Sequence, residues 1–172
     1  ILTRKADQNH RPIAFAFAGE TIMNDGDEKV ILDPMLLRQS VNYQLLAAGL
    51  AYPMYYQGLF SDLRDTFTQA VQTARAVPSG VWQQDRTIAG FELRDIRAVT
   101  EVFVIWPKLF RRVVNYFGNG GRLDKFKKFL DANPDALLQL GRCHFTHLST
   151  FVSVESRVVR MTESTENLVF LE

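Results

Sequence analysis

From Ser61 to Val77 the apolar residues Leu63, Phe67, Ala70, Val71, Ala74 and Val77 return at helical spacing, while Arg64, Asp65, Gln69, Gln72 and Arg75 take the opposite face. A stripe of this kind must be buried, so the chain has to supply a second layer for one long amphipathic helix. Ser61 offers a cap acceptor at its start, Pro78-Ser79-Gly80 a stop, and Val81-Trp82 an apolar plug beyond it. The material for the second layer lies upstream. IAFAFA at 13–18 alternates large and small apolar residues as a covered strand does, and Asn24-Asp25-Gly26 carries the turn chemistry of a hairpin or longer excursion. Asp33-Pro34 is a helix start, Gly49 suits the left-handed residue that closes a helix, and Pro53 within AYPMYY marks an edge or bulged strand.

Downstream, the polar run QQDRT at 83–87 reads as a junction. IAGFELRDIRAVTEVFVIW suggests short strands, Pro107 opens a helix that stops at GNGG, and LDKFKKFLDA is a second helix followed by another start at Asn133-Pro134. The tail from His144 to Leu171 is rich in β-branched residues and reads as a meander of about three strands. With 172 residues and 47% hydrophobic content the chain can bury one ordinary core or two small ones. Its net charge of +1 gives no global pull toward nucleic acid or membrane. No apolar window has spanning length and no basic-then-apolar leader opens the sequence, so a soluble protein with no membrane partner, no visible targeting segment and no assignable compartment is expected. Cys143 is the only cysteine, which excludes an internal disulfide.

The order DQNHRPIAFAFAGE, VNYQLLAAGLAYPMYY, LFSDLRDTFTQAVQTARAVPSGVW resembles the second half of the staphylococcal nuclease (thermonuclease) family. The match covers roughly residues 5 to 84, with Asp7 and Arg11 falling where that family has its Asp and Arg. The resemblance implies a partial OB-fold β-barrel with amphipathic helices over 1–84; together with the strands and helices read downstream, an α+β chain is expected, with a smaller α+β extension over 85–172. It also implies calcium-assisted hydrolysis of DNA or RNA phosphodiesters. On this reading Arg11 neutralises charge on the phosphate, Tyr55 and Tyr56 contact substrate, and Asp7 holds the turn that presents Arg11; His10, beside Arg11, is a candidate substrate contact or else an exposed turn histidine.

The family's Val-Asp-Gly-Asp-Thr strand and its Asp-x-Pro-Glu, which supply the metal ligands, do not precede Asp7, so the calcium ligands are not present in this chain. The DGD at 25–27 echoes the first motif but reads as turn chemistry. A barrel of five strands could then close only with a missing N-terminal segment or a second chain. The alternative is a catalytically silent module that binds nucleic acid or protein. A separate basic surplus, Lys108, Arg111, Arg112, Arg122, Lys125, Lys127 and Lys128 against Asp124 alone, is a candidate nucleic-acid patch or else a solvated helix face. Cys143, His144 and His147 bring at most two ligands to one face of a strand, too few for structural zinc, and no metal site is assigned. Trp82 and Trp106 read as core anchors. GNGG at 118–121 lacks the flanking elements that phosphate binding requires.

Overall fold

The computed structural model describes residues 1–6, 10–19, 23–77 and 79–171. It is mixed α+β, with three separate sheets and no closed barrel among the described residues. Two compact units are present: residues 1–51 with 60–79, and residues 52–59 with 80–172. A single cut at 84 is therefore not how the chain divides. The stretch 52–59, expected as the aromatic strand of the first half, and the Val81-Trp82 plug both belong to the second unit.

In the first unit, β1 (Leu2–Ala6) and β2 (Pro12–Phe15) form an antiparallel hairpin that stays two-stranded. The expected strand over 13–18 is thus shorter, although Phe17 still bridges to Ser40. Thr3 pairs with Ala14 and Lys5 with Ile13, so Arg4 is an extra residue in β1, a bulge. The end of β2 is tied to the next helix by Asn42, whose side chain accepts from the Ala16 N–H (2.9 Å) and donates to the Ala14 carbonyl (3.4 Å). The Val41 N–H adds a bond to the Ala16 carbonyl at 2.8 Å.

The helical stretch begun at Asp33 is two helices, α1 (Pro34–Leu37) and α2 (Val41–Ala47). Asp33 caps the first by accepting from the Leu36 N–H at 2.8 Å. Ser40 divides them: its hydroxyl donates back to the Leu37 carbonyl (2.6 Å) and accepts from the Tyr43 N–H (3.1 Å), ending one helix and capping the other. Gly49 closes α2 at φ +69°, with the Leu50 N–H reaching back to the Leu45 carbonyl at 2.8 Å. The long helix α3 (Ser61–Ala76) buries Leu63, Thr66, Phe67, Ala70, Val71 and Ala74 and packs on α1 and α2. Phe15 and Tyr43 stack on Phe67 at 6.3 and 6.5 Å. Two details of the sequence reading fail here. The cap position is Phe60 rather than Ser61, with no side-chain bond, and Val77 is 76% exposed because the helix has already ended at Ala76.

In the second unit, β3 (Tyr55–Tyr56) runs parallel to β9 (Leu168–Phe170), which pairs in turn with β5 (Ala136–Gln139) and through it with β6 (His144–His147). A second sheet orders β4 (Phe91–Glu92), β8 (Val158–Met161) and β7 (Val152–Glu155). Two helices, α4 (Pro107–Gly118) and α5 (Phe126–Ala132), contribute Leu109, Val113, Phe126 and Leu130 to one core with Trp106, Leu137, Leu148, Val159, Met161, Leu168 and Phe170.

The expected three-strand meander is instead four strands shared between two sheets. The expected helix after Asn133-Pro134 is β5; Asn133 closes the preceding helix instead, its side-chain amide donating to the Phe129 carbonyl at 2.9 Å. Residues 98–102, expected within strands, form a π-helical turn. It follows a local turn in which Asp95 accepts from the Arg97 N–H at 2.8 Å.

Trp106 is fully buried and ties three segments together. Its indole N–H donates to the Pro53 carbonyl (3.0 Å), its backbone N–H to the Thr87 hydroxyl (2.8 Å), and that hydroxyl to Asp85, which also accepts from the Tyr52 hydroxyl (2.8 Å). Trp82, 7% exposed, packs edge-on against Tyr52 at 4.9 Å. Both tryptophans are core anchors.

Candidate nucleic-acid interface

A group of exposed cationic side chains lies on and beside the strands of the β1–β2 hairpin. Arg4, Lys5, His10 and Arg11 are all exposed, and no carboxylate lies on either strand. The bulge re-aims one of them. As the unpaired residue of β1, Arg4 sets its guanidinium 5.2 Å from the centre of the Phe60 ring, which is itself 60% exposed at the start of α3. His10 sits at φ +61°, immediately before Arg11 and the Pro12 that opens β2. An arginine on an accessible aromatic face, in a hairpin that also carries Lys5 and Arg11, is suited to phosphate oxygens and to the flat face of a base. Sequence reading missed Arg4 and Phe60. Their only signal was a two-residue basic step in a strand and a phenylalanine at a helix start, and neither shows a bulge.

The other expected site residues fare unevenly. Arg11 and His10 belong to the first unit, and Tyr55 and Tyr56 to the second. Tyr55 is 2% exposed, so it is not a substrate contact, contrary to expectation; its strand lies against β9 and buries the ring. Tyr56 is half-buried, packed on Phe170 at 5.8 Å, with its hydroxyl directed to the Met54 sulfur at 3.0 Å. Asp7 lies outside the described residues.

The basic surplus of 108–128 is largely structural. Lys108 is buried, with its ammonium 3.0 Å from Asp135 and 4.5 Å from the centre of the Phe170 ring. Arg112 grips the same carboxylate with two donors, Nε to Oδ2 at 2.6 Å and Nη2 to Oδ1 at 2.5 Å. Burial pushes the Asp135 carboxyl up, but the hydrogen bonds and charges of Arg112 and Lys108 outweigh it and hold the group below its ordinary value. Lys127 donates to the carbonyls of Ser149 and Val152. Lys108, Arg112 and Lys127 therefore do not form the expected phosphate patch. Arg122 is exposed beside Asp124 at 3.1 Å, and Arg111, Lys125 and Lys128 face solvent.

Calcium requires six to eight oxygen ligands, carboxylates prominent among them. Strands β1 and β2 carry no carboxylate, and among the described residues no three of His, Cys, Asp and Glu converge in a way that could hold a metal ion. The donors present do not fit calcium. Asp25-Gly26 forms a turn closed by the Asp27 N–H on the Asn24 carbonyl (3.2 Å), with the Asp27 carboxylate bonded to the Asn24 N–H (2.8 Å).

The second unit also carries two shallow grooves of about 340 and 310 Å³, both lined in part by the 98–102 turn. The first is rimmed by Glu92, Arg94, Asp95 and Arg97, which neutralise one another in local pairs at 2.9 and 2.8 Å. Hydrogen bonding from Arg94 and Arg97 holds the Glu92 and Asp95 carboxyls below their usual range. Such a rim offers no convergent catalytic set. Among the described residues no helix is long and apolar enough to cross a membrane. No family model matches the chain, and no curated protein or solved structure matches it.

Proposed function

We propose that the first unit is a nucleic-acid-binding module of staphylococcal-nuclease type, without a hydrolytic centre of its own. The hairpin holds the sugar-phosphate backbone through Arg4, Lys5 and Arg11, and the Arg4–Phe60 pair receives a base. The observation that supports this reading is the bulge-directed stack of Arg4 on the exposed Phe60 ring. Asn42 keeps the hairpin in register with α2, so the cations stand on a fixed frame. Hydrolysis is not assigned, because among the described residues the carboxylates that calcium chemistry needs do not accompany Arg11.

Fluorescence anisotropy with a labelled single-stranded oligonucleotide at low salt tests the reading. Phe60→Ala is expected to weaken binding by about 1 kcal/mol or more, the usual range for a base-stacking aromatic. An affinity unchanged by Phe60→Ala, or no binding by the wild type at low salt, would refute it.

A further inference from the structure

The β6 strand, His144–His147, is an edge of the four-stranded sheet, with β5 as its one neighbour among the described strands. Two hydrogen bonds fix which of its backbone groups face outward. The Leu148 N–H donates to the Asp135 carbonyl at 3.0 Å, in register with the pairs Leu137–Thr146 and Gln139–His144. Antiparallel ladders alternate bonded and non-bonded pairs, so Thr146 and His144 turn their backbone groups toward β5, and Phe145 and His147 turn theirs away. The second bond agrees: the carbonyl of Ala136, opposite His147, accepts from the Leu171 N–H on the far side at 3.0 Å. The open edge thus presents two N–H and two C=O groups.

Edges are ordinarily blunted by charge, proline or brevity. The first strand carries Arg4 and Lys5, the second opens on Pro12, the third is two residues long, the fourth carries Glu92 and the seventh Glu155. β6, HFTH, has no Asp, Glu, Lys, Arg or Pro. It also ends an apolar row across the sheet in which Tyr55, Val169 and Leu138 are successive register partners leading to Phe145. Exposure climbs along that row from 2% at Tyr55 and 5% at Val169 to 68% at Phe145.

We infer that β6 pairs antiparallel with β6 of a second copy of this chain, about a two-fold axis through Thr146. This register sets Phe145 opposite the second copy's His147, and the reverse, as hydrogen-bonded pairs that satisfy all four outward groups. Thr146 then faces its own copy as a non-bonded pair. The two Phe145 rings become diagonal neighbours within aromatic reach, covering the open end of the apolar row. A two-fold axis brings identical side chains together, which penalises a charged edge and leaves β6 free of like-charge repulsion. Arg142, the nearest charge in the sequence, lies outside the strand in the turn that precedes it.

Sedimentation equilibrium of the full chain from micromolar to millimolar tests this. An interface this short is expected to be weak, with a dissociation constant on the order of 100 μM. Phe145→Lys should weaken it at least tenfold while leaving the far-UV spectrum unchanged. In a second measurement, Thr146→Cys in a Cys143→Ser background places the two thiols on a pair whose Cα atoms lie about 4.5 Å apart, within disulfide range. It should cross-link under mild oxidation faster than Ser153→Cys, which lies on the other sheet's edge. A monomer at every concentration, a dimer indifferent to Phe145→Lys, or cross-linking at 146 no faster than at 153 would overturn the assignment.

Discussion

Replacing Asp135 with alanine should cost the second unit about 3–5 kcal/mol, the usual result of breaking a buried ion pair from one side. The Lys108 ammonium lies 3.0 Å from the carboxylate, and both side chains are at least nine-tenths buried. At that separation and an effective dielectric of about 20, the attraction is about 5 kcal/mol. Arg112, at 2.6 Å, adds a similar attraction from a side chain three-quarters buried. Removing all three charges from water consumes most of this gain, so the intact cluster contributes little net stability. Without the carboxylate, the desolvation cost of Lys108 remains and its compensation is gone.

Urea unfolding followed by tryptophan emission is well placed to read the change, since Trp82 and Trp106, the only two in the chain, are both buried in the second unit. The pH dependence supplies a second readout. The Asp135 carboxyl is held below its ordinary value. Its stabilisation is therefore complete above the unfolded value of about 3.9 and is lost as pH falls through the lower folded value. Wild type should lose stability below about pH 4 along a limb that Asp135→Asn flattens. A loss under about 1 kcal/mol in Asp135→Ala, with an unchanged acid limb, would refute the reasoning, because buried pairs broken from one side cost several times that.

Two further substitutions test the frame. Gly90→Ala should destabilise by more than 2 kcal/mol in thermal melts, roughly the sum of a left-handed backbone penalty and overpacking, since Gly90 sits at φ +92° and an added Cβ would meet Val158 Cγ1 at 2.9 Å. Ser40→Ala should cost about 1–2 kcal/mol, because the buried hydroxyl both ends α1 and caps α2.

What could be read in the sequence was local. Asp33-Pro34 and Gly49 carry their signal in their own side chain or lack of one, and their helix ends lie where expected. The stripe on α3 was equally visible, since periodicity needs only neighbours a few residues away. Long-range competition was not visible. Asn133-Pro134 looks like a helix start until Asn133 is seen to close α5, and Asp135 beyond it removes two cations, Lys108 and Arg112, from an apparent phosphate patch. Tyr55 and Tyr56 are consecutive, yet β3 buries one and leaves the other half-open, a distinction set by pairing with β9 more than a hundred residues away. The Arg4 bulge depends on register with β2, which composition does not encode.

The most direct test of the central claim is the salt dependence of single-stranded oligonucleotide binding, compared between wild type and the double variant Arg4→Ala/Arg11→Ala. Each phosphate contact to a single strand contributes about 0.7 to the slope of log K against log salt, so the double variant should lose about 1.4 of that slope along with affinity. An identical slope and affinity in the two proteins would contradict a hairpin that holds the nucleic-acid backbone.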